Sequence, residues 1–167
     1  MLYLFDANVL ITANNTYYPI DQVKEYWAWL QYQGAAGNIK LPAEIMDEIL
    51  AGQNNQKGRK NEDLLLTWIK QPELKKALLL DEQVDPGLVA AVIERGYAVD
   101  LTDTELEEIG RDPFLIAYGM VSTDRCVVTN GGVEPEQKTP EPKNSRRLWD
   151  PRRRVLYAVQ SESRLKF

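Results

Sequence analysis

Short apolar runs along the chain predict a small number of strands. The clearest are Met1 to Phe5, which ends at Asp6, and Arg125 to Thr129, "RCVVT", which is rich in β-branched residues. Two shorter candidates are Asn38 to Leu41 and Val155 to Val159. We expect these segments to form the sheet of the protein.

Between the strands, apolar residues recur at helical spacing. The predicted helical segments are Ala7 to Ala13, Asp21 to Gly34, Pro42 to Gly52, Asn61 to Lys70, Glu73 to Leu78, Pro86 to Arg95, Asp103 to Ile109, and a helix that opens at Asp112. Strands that alternate with helices indicate a parallel sheet covered on both faces. The polar segment "QNNQKGRK" predicts a linker, and residues 130–154 predict irregular structure.

Length and composition predict one domain over residues 1–167. The chain has 167 residues and is 44% hydrophobic, which suffices for one substantial core. It has no apolar run of the roughly 20 residues that span a bilayer, and no signal-peptide pattern at its start. We therefore expect a cytoplasmic protein.

The residue types exclude several kinds of chemistry. Cys126 is the only cysteine and the chain has no histidine, so a disulfide within the chain and histidine-dependent triads are excluded. Zinc sites, which rely on these ligands, are disfavoured. Acid, base and ligand chemistry is left to carboxylates, which favour Mg²⁺ or Mn²⁺.

The net charge of −5 is unevenly distributed. Residues 130–167 hold nine Lys or Arg against five Asp or Glu, which leaves eleven against twenty in residues 1–129. An acidic body argues against strong general affinity for nucleic acid. The basic tail, which includes Arg146 and Arg147, is either a source of phosphate contacts or a solvated end.

Asp6 and Asn8 follow the first predicted strand. Ligands of parallel sheets bind beyond the carboxyl ends of the strands, where Asp6 lies. The alternative is a turn aspartate whose carboxylate accepts hydrogen bonds from nearby backbone amides. The local sequence leaves both interpretations open.

Further acids occur on predicted helices. Glu44 and Glu48 are four residues apart and share one helix face, while Asp47 points about 100° away. They are either functional or part of a solvated acidic face. Asp112 precedes Pro113, as a helix N-cap does, and Arg111 beside it is either an ion-pair partner or a phosphate contact.

Taken in order, the segments "LFDANVLI", "LPAEIMDEILAG" and "DPFLIAYGMVSTDRCVVT" resemble the PIN-domain family, which includes the VapC-like ribonucleases. The resemblance covers roughly Leu2 to Thr129. The chain also resembles one little-characterised PIN-like family whose members have about 160 residues. It implies a three-layer α/β/α sandwich with a small central parallel sheet. It also implies metal-dependent hydrolysis of RNA at acids gathered from distant segments.

Specific roles follow from the resemblance. Asp6, Glu48 and Asp112 match the family's acids, so they are the expected catalytic residues and Mg²⁺ or Mn²⁺ ligands. Asn8, Thr129 and Glu44 are expected to support those carboxylates, and Arg111, Arg146 and Arg147 to contact nucleic acid. The expected partners are an RNA substrate, an antitoxin protein and a second copy of the chain.

Two alternatives remain open. PIN proteins usually carry an acid two residues after the last motif's threonine, where this chain has Gly131. This favours a PIN scaffold without catalysis that binds RNA or protein, unless Glu134 or Glu44 compensates. A haloacid-dehalogenase-like phosphatase also has an aspartate after its first strand, but it requires a second aspartate where Asn8 stands.

Four aromatic residues near the N-terminus have two possible uses. Tyr17, Tyr18, Trp27 and Trp29 either pack in the core or at an interface, or stack on nucleic-acid bases. The helical spacing of these residues favours packing in the core or at an interface.

Overall fold

The centre of the protein is a four-stranded parallel sheet with the order β2-β1-β3-β4. The computed structural model describes residues 1–51, 64–97, 101, 102, 104, 109–130 and 155–157. The strands are β1 (Leu2–Phe5), β2 (Ile39–Lys40), β3 (Arg125–Thr129) and β4 (Val155–Tyr157). Each predicted strand is confirmed. β1 and β2 are shorter than predicted, and β3 has the predicted bounds. The last two residues of the predicted segment Val155 to Val159 lie outside the described residues.

Within the described ranges, seven α-helices accompany the sheet. They are α1 (Ala7–Thr12), α2 (Lys24–Ala35), α3 (Ala43–Ala51), α4 (Leu64–Ile69), α5 (Pro72–Leu78), α6 (Pro86–Gly96) and α7 (Asp112–Met120). A π-helical turn, Ala13–Tyr17, extends α1 beyond its predicted end. The start of α2 lies later than predicted because the Pro19 carbonyl accepts backbone hydrogen bonds from Gln22 and Val23 in a preceding turn.

Three predictions lie largely or wholly outside the described residues. These are the linker after α3, most of the helix predicted from Asp103 to Ile109, and the irregular segment after Asn130.

Both faces of the sheet are buried. Neighbouring residues of a strand point to opposite faces, and Leu4 and Phe5 in β1 are both buried, as are Cys126 and Val127 in β3. Helices therefore cover both sides of a parallel sheet, as the alternation of elements predicted, and the fold is an α/β/α sandwich.

The main core joins the sheet to helices α1 to α5 and α7. Its fully buried members include Leu4, Leu10, Leu30, Ile45 and Leu78, together with Tyr118 at 1% exposure. A smaller cluster of Val89, Val92 and Ala117 packs α6 against α7. Among the described helices, none is long and apolar enough to cross a membrane.

Candidate active site

Asp6 lies at the carboxyl end of β1, one of the two inner strands of the sheet. The chain passes from β1 to β2 on one side and later enters β3 on the other. The crevice beyond the ends of β1 and β3 is therefore a topological switch point, the usual ligand site of an open parallel sheet. Asp6 is only 4% exposed, which is rare for a carboxylate without a functional or paired role.

The Asp6 carboxylate is held by β3. Thr129 Oγ1 donates a hydrogen bond of 2.7 Å to Asp6 Oδ2, and the Asp6 backbone N–H donates to the Val128 carbonyl at 2.9 Å. Asp6 is the N-cap residue of α1, but its side chain makes no capping hydrogen bond. The turn-aspartate alternative therefore does not describe this residue.

Asn8 and Asn130 provide a second link between α1 and the end of β3. Asn130 Nδ2 donates to the backbone carbonyl of Asn8 at 3.2 Å. The Asn8 side chain itself is exposed. The link therefore uses the backbone of Asn8. The sequence predicted instead that Asn8 supports the carboxylates of the acids.

Asp112 is the first residue of α7, and Arg111 occupies the N-cap position. The side chain of this N-cap residue makes no capping hydrogen bond to the helix amides. The interpretation of Asp112 as the helix N-cap does not hold, because Asp112 is the first residue inside the helix and Arg111 is the N-cap. Its carboxylate is therefore not committed to the helix amides.

We call Asp6, Glu48 and Asp112 the acidic site, because the charge of Asp6 acts on both of the other acids and the charge of Asp112 acts on Glu48. Burial raises the pKa of Glu48 from its ordinary value of 4.5, and the charges of Asp6 and Asp112 raise it further. Burial also raises the pKa of Asp112 from 3.8, with a further contribution from Asp6. The fold thus brings together acids that are 42 and 106 residues from Asp6 in the sequence.

Among the described residues, Arg111 is the one positive group that acts on Glu48, whose pKa it lowers. Its side chain is exposed, and the guanidinium lies 5.9 Å from the centre of the Phe114 ring. Counting only the residues that the structure describes, one guanidinium against three carboxylates leaves the acidic site with an excess of negative charge.

The donor set of the acidic site fits a hard divalent cation such as Mg²⁺ or Mn²⁺, because all its ligands are carboxylate oxygens and their charges are incompletely compensated. Among the described residues, no three His, Cys, Asp or Glu side chains are arranged to hold a metal ion. The three acids are thus electrostatic neighbours that are not assembled as ligands around a single point.

Glu44 faces a different neighbour from Glu48. Burial and the charge of Glu44 raise the pKa of Tyr118 on α7, so the two side chains are close. Tyr118 donates its hydroxyl proton to the Glu82 carbonyl at 3.0 Å, and Glu44 Oε2 is buried without a hydrogen-bond partner. The structure gives no contact between Glu44 and the acidic site.

Tyr97, which the sequence did not single out, lies near the acidic site. Burial, followed by the charge of Asp112, raises its pKa to about 12. A single tyrosine after the end of a helix has no sequence signature, and only tertiary packing brings it to Asp112.

Two of the predicted nucleic-acid contacts, Arg146 and Arg147, lie outside the described residues, as do Gly131 and Glu134.

The four aromatic residues near the N-terminus differ in burial. Trp27 is buried and donates its indole N–H to the Tyr18 carbonyl at 2.7 Å, as its helical spacing predicted. Exposed aromatic residues here are Tyr17, Tyr18 and Trp29.

The fold and site define an α/β/α sandwich with acids gathered at the carboxyl edge of a parallel sheet. The chain belongs to a family described as a domain of unknown function (DUF4411), whose model matches residues 3–146. No curated protein and no solved structure matches the chain.

Proposed function

We propose that this protein is a metal-dependent endoribonuclease of the PIN type that acts in the cytoplasm. The observation that carries the proposal is that the charge of Asp6, at the carboxyl edge of the sheet, acts on both Glu48 and Asp112, and that the charge of Asp112 acts on Glu48. The resemblance of the three surrounding segments to PIN motifs supports the same interpretation.

In this proposal Asp6 and Asp112 would hold Mg²⁺ or Mn²⁺, and Glu48 would take a proton from the attacking water. The bound ion would lower the pKa of that water and offset the charge that grows on the phosphate. Thr129 fixes the orientation of the Asp6 carboxylate through its hydrogen bond. The raised pKa of Glu48 suits a proton acceptor better than an ordinary carboxylate.

The first test is calorimetric titration of the protein with MnCl₂. We expect the wild type to bind Mn²⁺ and Asp6→Asn to bind it much more weakly, because a neutral amide is a poorer ligand. A wild type that binds no Mn²⁺ would contradict the enzymatic proposal. It would favour the non-catalytic RNA- or protein-binding scaffold that Gly131 suggests.

The second test is Mn²⁺-dependent cleavage of mixed single-stranded RNA. We expect Asp112→Asn and Glu48→Gln to lower the rate by about 100-fold or more. Asp47→Asn is the matched control, since Asp47 is exposed and adjacent to Glu48 but points to another face of α3. Equal rates for Glu48→Gln and Asp47→Asn would remove Glu48 from the mechanism.

The same resemblance supports a role as the toxin of a toxin-antitoxin pair, in which a protein partner covers the acidic site. Co-expression with the product of a neighbouring open reading frame tests this role. The expected result is a stable complex in which Mn²⁺-dependent cleavage is suppressed.

A further inference from the structure

The outer side of α2 is both apolar and exposed. Its inner side belongs to the core: Trp27 and Leu30 are buried there, and Gly34 lies against Leu78 of α5. Because successive helical residues are about 100° apart, the outer side of α2 and its C-cap carry a second set of residues, all exposed. These are Ala28, Trp29, Tyr32, Ala35 and Ala36. A helix that is apolar on both sides is normally buried on both sides, so the outer side indicates a surface that a partner covers.

The π-helical turn and its C-cap residue extend this surface with two further rings. Tyr18 stacks on Tyr26 of α2 with ring centres 4.4 Å apart, and Tyr17 lies beside Tyr18 at 6.3 Å. Tyr26 in turn lies 5.9 Å from Trp29. We call Tyr17, Tyr18 and the exposed residues of α2 the aromatic face. It holds four of the eight large hydrophobic side chains that are exposed in the described ranges, a concentration that is typical of an interaction surface.

The part of the aromatic face on α2 is free of charge beyond the first turn of the helix. From Tyr26 to Ile39 the sequence has no Asp, Glu, Lys or Arg, although 27% of the chain is charged. Recognition of a charged partner relies on complementary charges. Two copies of this chain each carry a net charge of −5 and repel one another, so they approach most easily where neither copy is charged. The aromatic face therefore fits a second copy better than a charged partner.

The order of large and small residues on α2 is complementary to itself. A two-fold contact places the same surface on both sides of the axis. With two antiparallel α2 helices and the axis beside Tyr32, Trp29 lies three residues before the axis and Ala35 three residues after it. Each Trp29 ring then faces the small Ala35 side chain of the other copy, and the two Tyr32 rings meet at the centre.

The four exposed rings provide much of the area that a specific interface needs. Exposed fractions are 47% for Trp29, 68% for Tyr32, 52% for Tyr17 and 41% for Tyr18. At roughly 200 Å² for each aromatic side chain, the rings expose about 400 Å² in one copy. Two copies would thus bury about 800 Å² from the rings alone, and a small specific interface buries about 1,200 Å² in total. The three alanines of the aromatic face add to this area.

We propose that the aromatic face is the contact between two copies of this chain, with antiparallel α2 helices related by a two-fold axis beside Tyr32. The contact does not involve the acidic site, so the outcomes of the Mn²⁺ and RNA experiments neither support nor contradict it.

The first experiment measures the mass of the protein by sedimentation equilibrium over the micromolar range, in EDTA. We expect the wild type to reach twice the chain mass of 19.1 kDa. Tyr32→Glu should raise the Kd of the dimer by at least about tenfold, because it places two like charges next to each other at the axis. Val121→Glu is the matched control, since Val121 is 52% exposed at the C-cap of α7 and the variant adds the same charge there. Its Kd should equal that of the wild type.

The second experiment tests the position of the axis by cross-linking. Cys126, the only cysteine in the sequence, is buried, so Tyr32→Cys adds a thiol that is far more accessible. A two-fold axis beside position 32 brings the two introduced thiols together, and mild oxidation should give a disulfide-linked dimer on a non-reducing gel. Lys76→Cys, at an exposed position of α5, is the control and should remain unlinked. This experiment decides the inference even if Tyr32→Glu fails to fold, which circular dichroism reports.

A wild type that stays monomeric throughout the micromolar range overturns the inference and leaves the aromatic face to a different protein. A dimer with the same Kd in Tyr32→Glu and Val121→Glu also overturns it, because the contact then lies on another surface. Oxidation that links Tyr32→Cys no better than Lys76→Cys overturns the two-fold arrangement.

Discussion

Asp6 is held by a residue 123 positions later in the chain. The hydrogen bond from Thr129 satisfies one oxygen of a carboxylate that is almost fully buried. A buried charged acceptor that loses its donor pays the full cost of its desolvation. The stability of the protein and the geometry of the acidic site therefore depend on the same contact.

Replacement of Thr129 tests this dependence. Thr129→Val keeps the side-chain shape but removes the hydroxyl, so we expect the free energy of unfolding to fall by about 1–3 kcal/mol at neutral pH. Urea unfolding measures the change. Thr129→Ser should retain most of the stability, and Thr67→Val, at an exposed position of α4, should have little effect. A Val variant as stable as the Ser variant would show that the hydrogen bond contributes nothing.

At the residue scale, the sequence predicted the positions of Asp6 and Thr129 because each directly adjoins or ends a strand with a clear apolar pattern. It did not predict the direction of Glu44. Helical spacing places Glu44 and Glu48 on one face, but the neighbour of Glu44, Tyr118, comes from a distant helix. Tyr97 was missed for the same reason, since its relation to Asp112 arises from the packing of α6 on α7.

At the scale of elements, α7 packs closely on β3 at Gly119. A Cβ atom placed on Gly119 would lie 2.7 Å from Val127 Cγ2 of β3. Valine cannot move its methyl group far, because its side chain is short and branched. The small residue at position 119 thus sets how closely α7, which begins with Asp112, packs on β3.

We expect Gly119→Ala to destabilise the protein by about 1–3 kcal/mol through overpacking. The double variant Gly119→Ala with Val127→Ala should recover part of this loss, because it removes the clashing methyl groups. Gly96→Ala is the control, since a Cβ there meets nothing within 4 Å. Thermal unfolding reports all three, and a destabilisation of Gly96→Ala equal to that of Gly119→Ala would refute the packing argument.

The sequence predicted which helices and strands are present better than it predicted their first and last residues. Strong apolar runs identified β1 and β3, and proline at the first turn identified α6 and α7. The π-helical turn Ala13–Tyr17 was not predicted, because its hydrogen-bond pattern is not encoded by hydrophobic spacing. The start of α2 was misplaced because a turn at Pro19 competes with the helix.

For the whole molecule, the acidic site makes stability depend on pH. The pKa values of Glu48 and Asp112 are both raised above 4.5 and 3.8, so the folded state disfavours their ionised forms. Below the ordinary pKa values both acids are protonated, and their burial then costs no stability. As the pH rises through the raised pKa values, the acids ionise and the free energy of unfolding falls. Without bound metal, the acidic site therefore destabilises the protein at neutral pH.

Neutralising one of these acids should reverse part of the effect. We expect Asp112→Asn to raise the Tm by about 2 °C at neutral pH, a small gain because exposed charges are screened by solvent. The gain should shrink as the pH falls through the raised pKa of Asp112 toward its ordinary value. Differential scanning fluorimetry in EDTA measures it, with Asp21→Asn, at an exposed loop position, as control. A gain that is independent of pH would point to a cause other than charge.

The edge of the sheet beside β2 has a consequence for behaviour in concentrated solution. Directly after β2, Leu41 forms a parallel bridge with Leu79: the Leu41 N–H donates to the Leu78 carbonyl, and the Leu80 N–H donates to the Leu41 carbonyl, each at 2.8 Å. These backbone groups are the ones that a strand from another molecule would use. The chain thus shields this border against edge-to-edge aggregation with a segment of its own.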